Sequence, residues 1–213
     1  MEPKFANLPI CVGDVNLRVA RGHFATRHSH INYFIDVTRQ QSCLLDAEAV
    51  ARGLAQKQLA YTMVDTILCM DGTRVIGTCL AQQLTQGARS VNAGKDINIL
   101  RENLTSNGQL IFRENAHFML KDKNVLILMA SITTGGQVEK GMRCVKYYGG
   151  KVAGVAAIYS YMKEIDGVGI TSLFDTTHLP GYASYSPEEC PLCKKGLEVD
   201  AVVDKFGYSS LQG

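Results

Sequence analysis

The sequence predicts an α/β protein with a central parallel sheet flanked by helices. Apolar runs of strand length, at 66–70 and 125–130 for example, recur along the chain. They alternate with segments of helical periodicity, such as 75–84. Strands that are apolar throughout are typical of parallel sheets covered on both faces. Because ligands of such sheets bind where the strands end, the strand-to-helix turns are the first places to look for a site.

The order of the elements follows from the same patterns. Residues 1–45 are interpreted as irregular structure around an apolar run at 31–37, and Asp46 is expected to cap a helix running to about Gln58. Beyond this helix the pattern predicts two further helices, at 75–84 and 138–145, the second ended by Gly149 and Gly150. Strands are predicted at 66–70, 97–100, 125–130, 152–159 and 168–174.

Composition narrows the class of protein. The 213 residues fit one domain, and a hydrophobic content of 46% is enough for a folded core. A net charge of +2 gives no sign of nucleic-acid binding, and no apolar run is long enough to predict a membrane span. Seven cysteines without framework spacing favour free thiols in a reducing compartment, so we expect a cytoplasmic location.

The most informative turn follows the strand at 125–130. It combines hydroxyl side chains with two glycines, which allow successive N–H groups to converge on an anion at a helix amino terminus. An ordinary strand-to-helix turn is the alternative interpretation, since Gly and Thr are common in turns. The turn matches neither a Walker loop nor a Rossmann loop. We predict a phosphate site formed by Ser131, Thr133, Thr134, Gly135, Gly136 and Gln137.

Four segments, at 22–36, 69–81, 128–137 and 187–196, resemble type I phosphoribosyltransferases, and specifically the orotate phosphoribosyltransferases, in the family's order. The resemblance implies the type I phosphoribosyltransferase fold over residues 1–213 as a single domain. Residues 1–45 and about 175–213 would contribute a small hood and a tail. It also implies a homodimer that binds a phosphoribosyl ligand.

The resemblance also implies roles for individual residues. The loop at 131–137 would hold the 5-phosphate of the ribose, and Arg101 would close over the site as a catalytic group. Asp71 would order Mg²⁺ through water, although a lone aspartate there is more often a helix cap. Pyrophosphate would face Asp71, Gly72, Thr73 and Arg74, and the base would contact Arg27 and Phe34.

Two departures from the family's pattern divide the functional hypotheses. Met129 and Ala130 occupy the positions of the acidic pair that binds the ribose hydroxyls, and the stretch 101–108 contains neither lysine nor histidine. One hypothesis is an enzyme that transfers ribose 5-phosphate from phosphoribosyl pyrophosphate to a base of the orotate type. The other is a non-catalytic binder or sensor of a phosphorylated ribosyl ligand.

A pair of cysteines near the carboxyl end allows several interpretations. Cys190 and Cys193 have the spacing of half a zinc site or of a redox pair. The three histidines His23, His28 and His30 would supply nitrogen ligands if the two ends of the chain met. Simple burial or an incidental pair is the plainer alternative.

Overall fold

The computed structural model describes residues 5–7, 12–57, 59–87, 90–204 and 207–211. The helices are α1 (Thr38–Ser42), α2 (Leu44–Gln56), α3 (Arg74–Gln86), α4 (Gly136–Tyr147) and α5 (Pro191–Lys194), with 3₁₀ turns at Leu59–Tyr61 and Glu114–Met119. The strands are β1 (Phe5–Asn7), β2 (Arg18–Ala25), β3 (His30–Asp36), β4 (Thr66–Cys69), β5 (Asn98–Arg101), β6 (Asn124–Ile132), β7 (Lys151–Ser160), β8 (Glu164–Ile165), β9 (Val168–Asp175), β10 (Ser184–Tyr185), β11 (Ala201–Asp204) and β12 (Gly207–Ser210).

The larger body is the predicted parallel sheet. Its strand order is β5-β4-β6-β7-β9-β8, and only the short edge strand β8 runs antiparallel to its neighbour. Strand β6 lies inside the sheet, and Val125 to Leu128 are fully buried because helices cover both faces. The α/β class and the five predicted strands of this sheet are therefore confirmed.

The second sheet corrects the expectation of irregular structure over residues 1–45. It has the order β10-β3-β2-β11-β12, with β1 paired to β2, and so combines both ends of the chain. Ala20 and Phe24 on β2 are fully buried, whereas Arg18 and Arg21 are exposed. A bulge between Arg21 and Phe24 shifts the register with β3, which hides the two-residue alternation that would have indicated a strand. We call this sheet the hood.

The start of α2 also differs from the prediction. Cys43 occupies the N-cap position, and Asp46 lies within the first turn, where its carboxylate forms an ion pair with Arg39 at 2.9 Å. An acidic side chain in the first turn favours the helix through its dipole, so Asp46 supports the helix without capping it. The helix ends at Gln56, and the predicted end at Gln58 lies outside the described residues.

The core lies on both faces of the parallel sheet. On one face, Leu54 and Leu80 from α2 and α3 join a cluster that continues into the hood through Phe24. On the other, Met142 from α4 packs in a cluster with Met129 of β6. In the part of the chain that the structure describes, no helix is both long and apolar enough to cross a bilayer.

Candidate functional site

A cavity of about 520 Å³ lies between the carboxyl edge of the parallel sheet and the hood. Because parallel strands end at the same edge, the turns after β4, β5 and β6 all reach it. The hood contributes the turn between β2 and β3 and part of the β11–β12 hairpin. Of the residues predicted for the site, the lining includes Arg27, Phe34, Asp71, Ser131, Thr133, Thr134 and Gln137.

The turn between β6 and α4 forms one end of this cavity. Gly135 is the N-cap of α4, and no side chain caps the helix. The first N–H groups of a helix lack acceptors within the helix, and the helix dipole places partial positive charge there. Thr134 and Gln137 are exposed beside these groups. The turn therefore offers backbone and side-chain donors to an anion, as a phosphate requires.

Gly135 is required by both conformation and space. Its φ of +81° lies in the left-handed region, which side chains with a Cβ rarely adopt. A Cβ at this position would come within 2.6 Å of Cδ1 of Ile165. Gly136 has no such restriction, since a Cβ there would meet nothing within 4 Å. The two glycines predicted together as phosphate ligands thus differ: Gly135 shapes the turn, and Gly136 leaves open space beside it.

Tyr182 packs beside the turn between β6 and α4 from the side of the cavity. It is buried, lines the cavity, and forms a side-chain hydrogen bond with Thr133. Burial raises the pKa of the Tyr182 hydroxyl well above its ordinary value, so the hydroxyl stays protonated at neutral pH. The sequence pattern gave no reason to select Tyr182, because only the fold brings residue 182 beside residue 133.

The turn after β4 forms a second polar wall. Asp71 and Gly72 have φ values of +51° and +79°, and the backbone oxygen of Asp71 accepts a hydrogen bond of 2.5 Å from the Gln41 side chain. The backbone N–H of Asp71 donates to a carboxylate oxygen of Glu102 at 3.2 Å. Glu102 follows β5 and lines the cavity beside Asp71. Sequence analysis missed Glu102; its position directly after the neighbouring strand was the available signal.

Three predicted residues are placed less favourably for ligand contact. The side chain of Thr73 is fully buried, and its hydroxyl donates to the backbone oxygen of Met70 at 2.7 Å, so only its backbone is left for a ligand. Arg74 is exposed as the first residue of α3. Arg101 is exposed at the end of β5, and neither arginine lines the cavity. Their roles stay predictions that would require movement of the side chains.

Met129 and Ala130, which occupy the positions of the family's acidic pair, lie in two different environments. Met129 is 1% exposed and packs in the apolar cluster beneath α4, whereas Ala130 lines the cavity. Successive side chains of a strand point to opposite faces, which explains the division. Only position 130 therefore offers a place from which a carboxylate would reach a ligand in the cavity.

The hood supplies the remaining wall. Arg27 is exposed in the β2–β3 turn, and Phe34 on β3 is packed against Phe24 and Tyr208, with ring centroids 6.1 and 6.0 Å away. Arg27 therefore presents an exposed cation, and Phe34 a packed apolar surface. A planar ligand with an anionic group matches this combination.

Comparison with known proteins identifies several relatives. No model of a known protein family matches the chain. The orotate phosphoribosyltransferase of Thermus thermophilus is 30% identical in an alignment of 186 residues that covers 85% of this chain and 92% of that protein. That of Caldanaerobacter subterraneus subsp. tengcongensis is 25% identical over 84% of this chain and 87% of its own length. That of Chlorobaculum parvum is 40% identical, but the match spans only 37% of this chain and 40% of that enzyme.

Solved structures share the fold. The UMP synthase of Leishmania donovani superposes with a TM-score of 0.55 and 15% identity, over 76% of this chain and 34% of that one. The orotate phosphoribosyltransferase of Mycobacterium tuberculosis, in complex with Fe(III) dicitrate, gives a TM-score of 0.52 with 17% identity, over 77% of this chain and 93% of that one. At these identities the likeness concerns the fold alone.

Proposed function

This chain belongs to the type I phosphoribosyltransferase superfamily, close to the orotate phosphoribosyltransferases, and we propose that it transfers ribose 5-phosphate from phosphoribosyl pyrophosphate to a nitrogenous base. Orotate is the base that we favour. The observation that carries the proposal is one cavity shared by the turn before α4, the turn after β4, and the hood. These three walls match the phosphate, pyrophosphate and base portions of such a reaction.

The phosphate end of the cavity would anchor the substrate. The amino-terminal N–H groups of α4, together with Thr134 and Gln137, would bind the 5-phosphate. Tyr182 would hold Thr133 in place. An anchor of this kind fixes the ribose ring relative to the strand ends, which contributes to catalysis by orienting the reacting atoms.

The carboxylates beside the β4 turn fit a role in binding Mg²⁺. Asp71 and Glu102 both line the cavity, and carboxylate oxygens are ligands that Mg²⁺ accepts together with water and phosphates. When bound, the ion would stabilise the charge of the pyrophosphate leaving group. The structural contribution of the protein is to hold these two carboxylates at adjoining strand ends, where the Asp71 N–H orients Glu102.

The hood would position the acceptor base. Arg27 would pair with an anionic substituent of the base, and the Phe34 wall would bury its ring. A hood over the cavity also limits the access of water, which would otherwise compete with the base as acceptor.

A second function, the binding of a ligand without catalysis, is favoured by two observations. The wall that should bind the ribose hydroxyls carries Ala130, which has no acceptor in its side chain. In addition, the stretch after β5 closes on itself through a bridge between Leu104 and Leu110 and offers no lysine or histidine to the cavity. A binder or sensor of a phosphorylated ribosyl ligand would need the phosphate turn but not these groups.

We propose a homodimer, which the family resemblance implies, and a cytoplasmic location, which seven cysteines without framework spacing favour. Light scattering at micromolar concentration would measure the mass. A mass near 23.3 kDa would contradict the dimer.

The activity and the binding function are separated by two measurements on the same protein. Pyrophosphate release from phosphoribosyl pyrophosphate would be followed with Mg²⁺ and each of a panel of bases, and calorimetry would measure binding of the same substrate. Thr134→Val should lower both by about tenfold, since it removes a hydroxyl near the anion. Thr78→Val, on an exposed part of α3 away from the cavity, is the matched control.

The outcomes distinguish the hypotheses. Base-dependent release that falls in Thr134→Val but not in Thr78→Val supports the enzyme. Binding that shows the same pattern without turnover supports the sensor. Absence of both binding and turnover would show that the cavity has another ligand.

A further inference from the structure

Four metal-ligating side chains converge in the hood, and none of them lines the cavity. His23 lies on β2 and His30 begins β3, whereas Cys190 and Cys193 come from the tail at α5. One ligand atom from each residue lies within 4.8 Å of all the others. The fold thus brings together residues separated by up to 170 positions in the sequence. We propose that these four side chains bind a zinc ion at a structural site.

Four of the six distances between the ligand atoms are close to those of a tetrahedral site. Zinc bonds of about 2.0–2.1 Å to nitrogen and about 2.3 Å to sulfur place tetrahedral ligand pairs about 3.3 Å apart for two nitrogens and about 3.6 Å for nitrogen and sulfur. Here Nε2 of His23 lies 3.0 Å from Nδ1 of His30. The sulfur of Cys193 is 3.6 Å from the same His23 nitrogen and 3.2 Å from His30, and the sulfur of Cys190 is 3.5 Å from His23.

The surroundings of His23 orient it as a ligand. Its Nδ1 lies 3.0 Å from the backbone oxygen of Leu197 and 3.1 Å from that of Glu198, and a carbonyl oxygen can only accept. The proton is therefore on Nδ1, and the lone pair on Nε2 faces the two sulfurs. Backbone carbonyls hold many zinc-bound histidines in this way. The ring is only 3% exposed, so its orientation is fixed by burial as well.

The four ligands indicate which ion binds and whether the site is structural or catalytic. Two sulfurs and two nitrogens in tetrahedral arrangement favour zinc over hard cations such as Mg²⁺. Four protein ligands leave no open position for a substrate or water, as in structural rather than catalytic zinc sites. His28, the third histidine near this turn, is not among the four; it is exposed and lines the cavity.

The site would connect the two ends of the chain. His23 and His30 flank the β2–β3 turn that carries Arg27, and the cysteines anchor the tail that leads to β11. Strand β11 pairs with β2 through only two residues, Ala201 and Val202. A zinc ion would therefore hold together a sheet whose own pairing at this point is short. This site does not depend on the proposed function, because none of its four ligands lines the cavity.

The test begins with the metal content of the full-length protein. Protein purified in the presence of reductant and without chelator would be analysed by mass spectrometry for zinc, then stripped and reloaded. We expect about one zinc per chain, and for the cobalt-loaded protein a tetrahedral spectrum with a thiolate-to-cobalt band. Zinc should also raise the melting temperature of the stripped protein by several degrees, since a ligand that binds the folded state stabilises it.

Variants assign the ligands. Cys193→Ser removes an exposed ligand and should weaken zinc binding at least tenfold, measured in competition with a chelator. His30→Ala should do the same, whereas Cys43→Ser and His28→Ala should keep the full zinc content. Because Cys190 is fully buried, its replacement is a less clean test.

Two results would overturn the proposal. One is a reduced protein that binds less than about 0.2 zinc per chain after reloading and shows no thiolate-to-cobalt band. The other is equal zinc affinity in the wild-type, Cys193→Ser and His30→Ala proteins. In a protein that takes up no zinc, a reducible disulfide mapped to Cys190 and Cys193 by peptide mass spectrometry would explain either result and identify the two cysteines as a redox pair.

Discussion

The parallel sheet and the hood are built on opposite plans. Strands β4 to β7 are consecutive in the sequence, and β4, β6 and β7 each contain a run of fully buried apolar residues. The hood takes β2 and β3 from the start of the chain and β10 to β12 from its end. On β2 the buried residues do not alternate regularly, and the exposed residues are the charged Arg18 and Arg21.

The parallel sheet and the hood position functional groups in different ways. The sheet positions backbone groups and carboxylates at strand ends, where a rigid core fixes them. The hood positions side chains through long-range pairing, and at one point that pairing is two residues long. A hood of this kind is suited to cover a ligand, and it gains from an additional crosslink.

The largest effect is expected from a charge placed in the core of the sheet. Met129→Asp would bury a carboxylate without a partner in an apolar cluster, which should cost about 3 kcal/mol or more. Ala130→Asp, at the neighbouring residue, places the same group in the cavity and should leave the free energy of unfolding within about 1 kcal/mol. Urea unfolding of both variants compares them, and equal losses would contradict the assignment of the two faces.

Thiol labelling probes the sheet from another direction. Burial raises the pKa of Cys69 on β4 from 9.0 to about 12, so at pH 8 its reactive thiolate should be about a thousandfold scarcer than that of an unperturbed thiol. Cys43, half-buried before α2, should react with iodoacetamide far sooner. In urea all seven cysteines should react. Mass spectrometry after short labelling measures the order, and early labelling of Cys69 would show that the sheet opens readily.

A moderate effect is expected on the affinity for a ribosyl ligand. If the cavity binds a ribosyl phosphate, Ala130→Asp would supply the acceptor that this wall lacks and should strengthen binding of ribose 5-phosphate by about tenfold. Calorimetry with inorganic phosphate is the control, since phosphate should bind equally to both proteins. Weaker binding of ribose 5-phosphate by the variant would mean that the ribose does not lie beside residue 130.

The smallest effect is expected in acid, at the end of β9. A hydrogen bond from the Thr177 side chain, aided by His178, lowers the pKa of Asp175 to about 2 from an ordinary value of 3.8. A lowered pKa stabilises the fold above pH 4 and loses this effect as the pH falls towards 2. Asp175→Asn should therefore lower the melting temperature slightly at pH 5, and the difference from wild type should shrink steadily as the pH falls towards 2.

A matched control makes this small difference interpretable. Asp166→Asn changes an exposed residue at the β8–β9 turn, with a φ of +48° that asparagine also tolerates. Its melting temperature should follow that of the wild type throughout. A decrease in the melting temperature of Asp175→Asn that is the same at every pH would mean that the charge of the carboxylate does not stabilise this turn.

The sequence by itself determined the parallel sheet. Runs such as Val125 to Leu128 have one physical explanation, burial on both faces, and the turn at Thr133 to Gly136 follows directly because it is local in sequence. The resemblance of four segments to one family further predicted that the turn before α4, the turn after β4 and the hood would form one site. Glu102 was within reach of the same reasoning, since it follows the strand beside β4.

Only the tertiary structure shows which residues that are distant in the sequence come into contact. The bulge in β2 hides the hood strands from any period-two pattern, and the opposite faces of Met129 and Ala130 matter only once the cavity exists. The clearest case is the meeting of His23 and His30 with Cys190 and Cys193. Their sequence spacing permits a metal site, a redox pair or nothing, because ligand geometry depends on how two ends of a chain pack, and no local pattern encodes that packing.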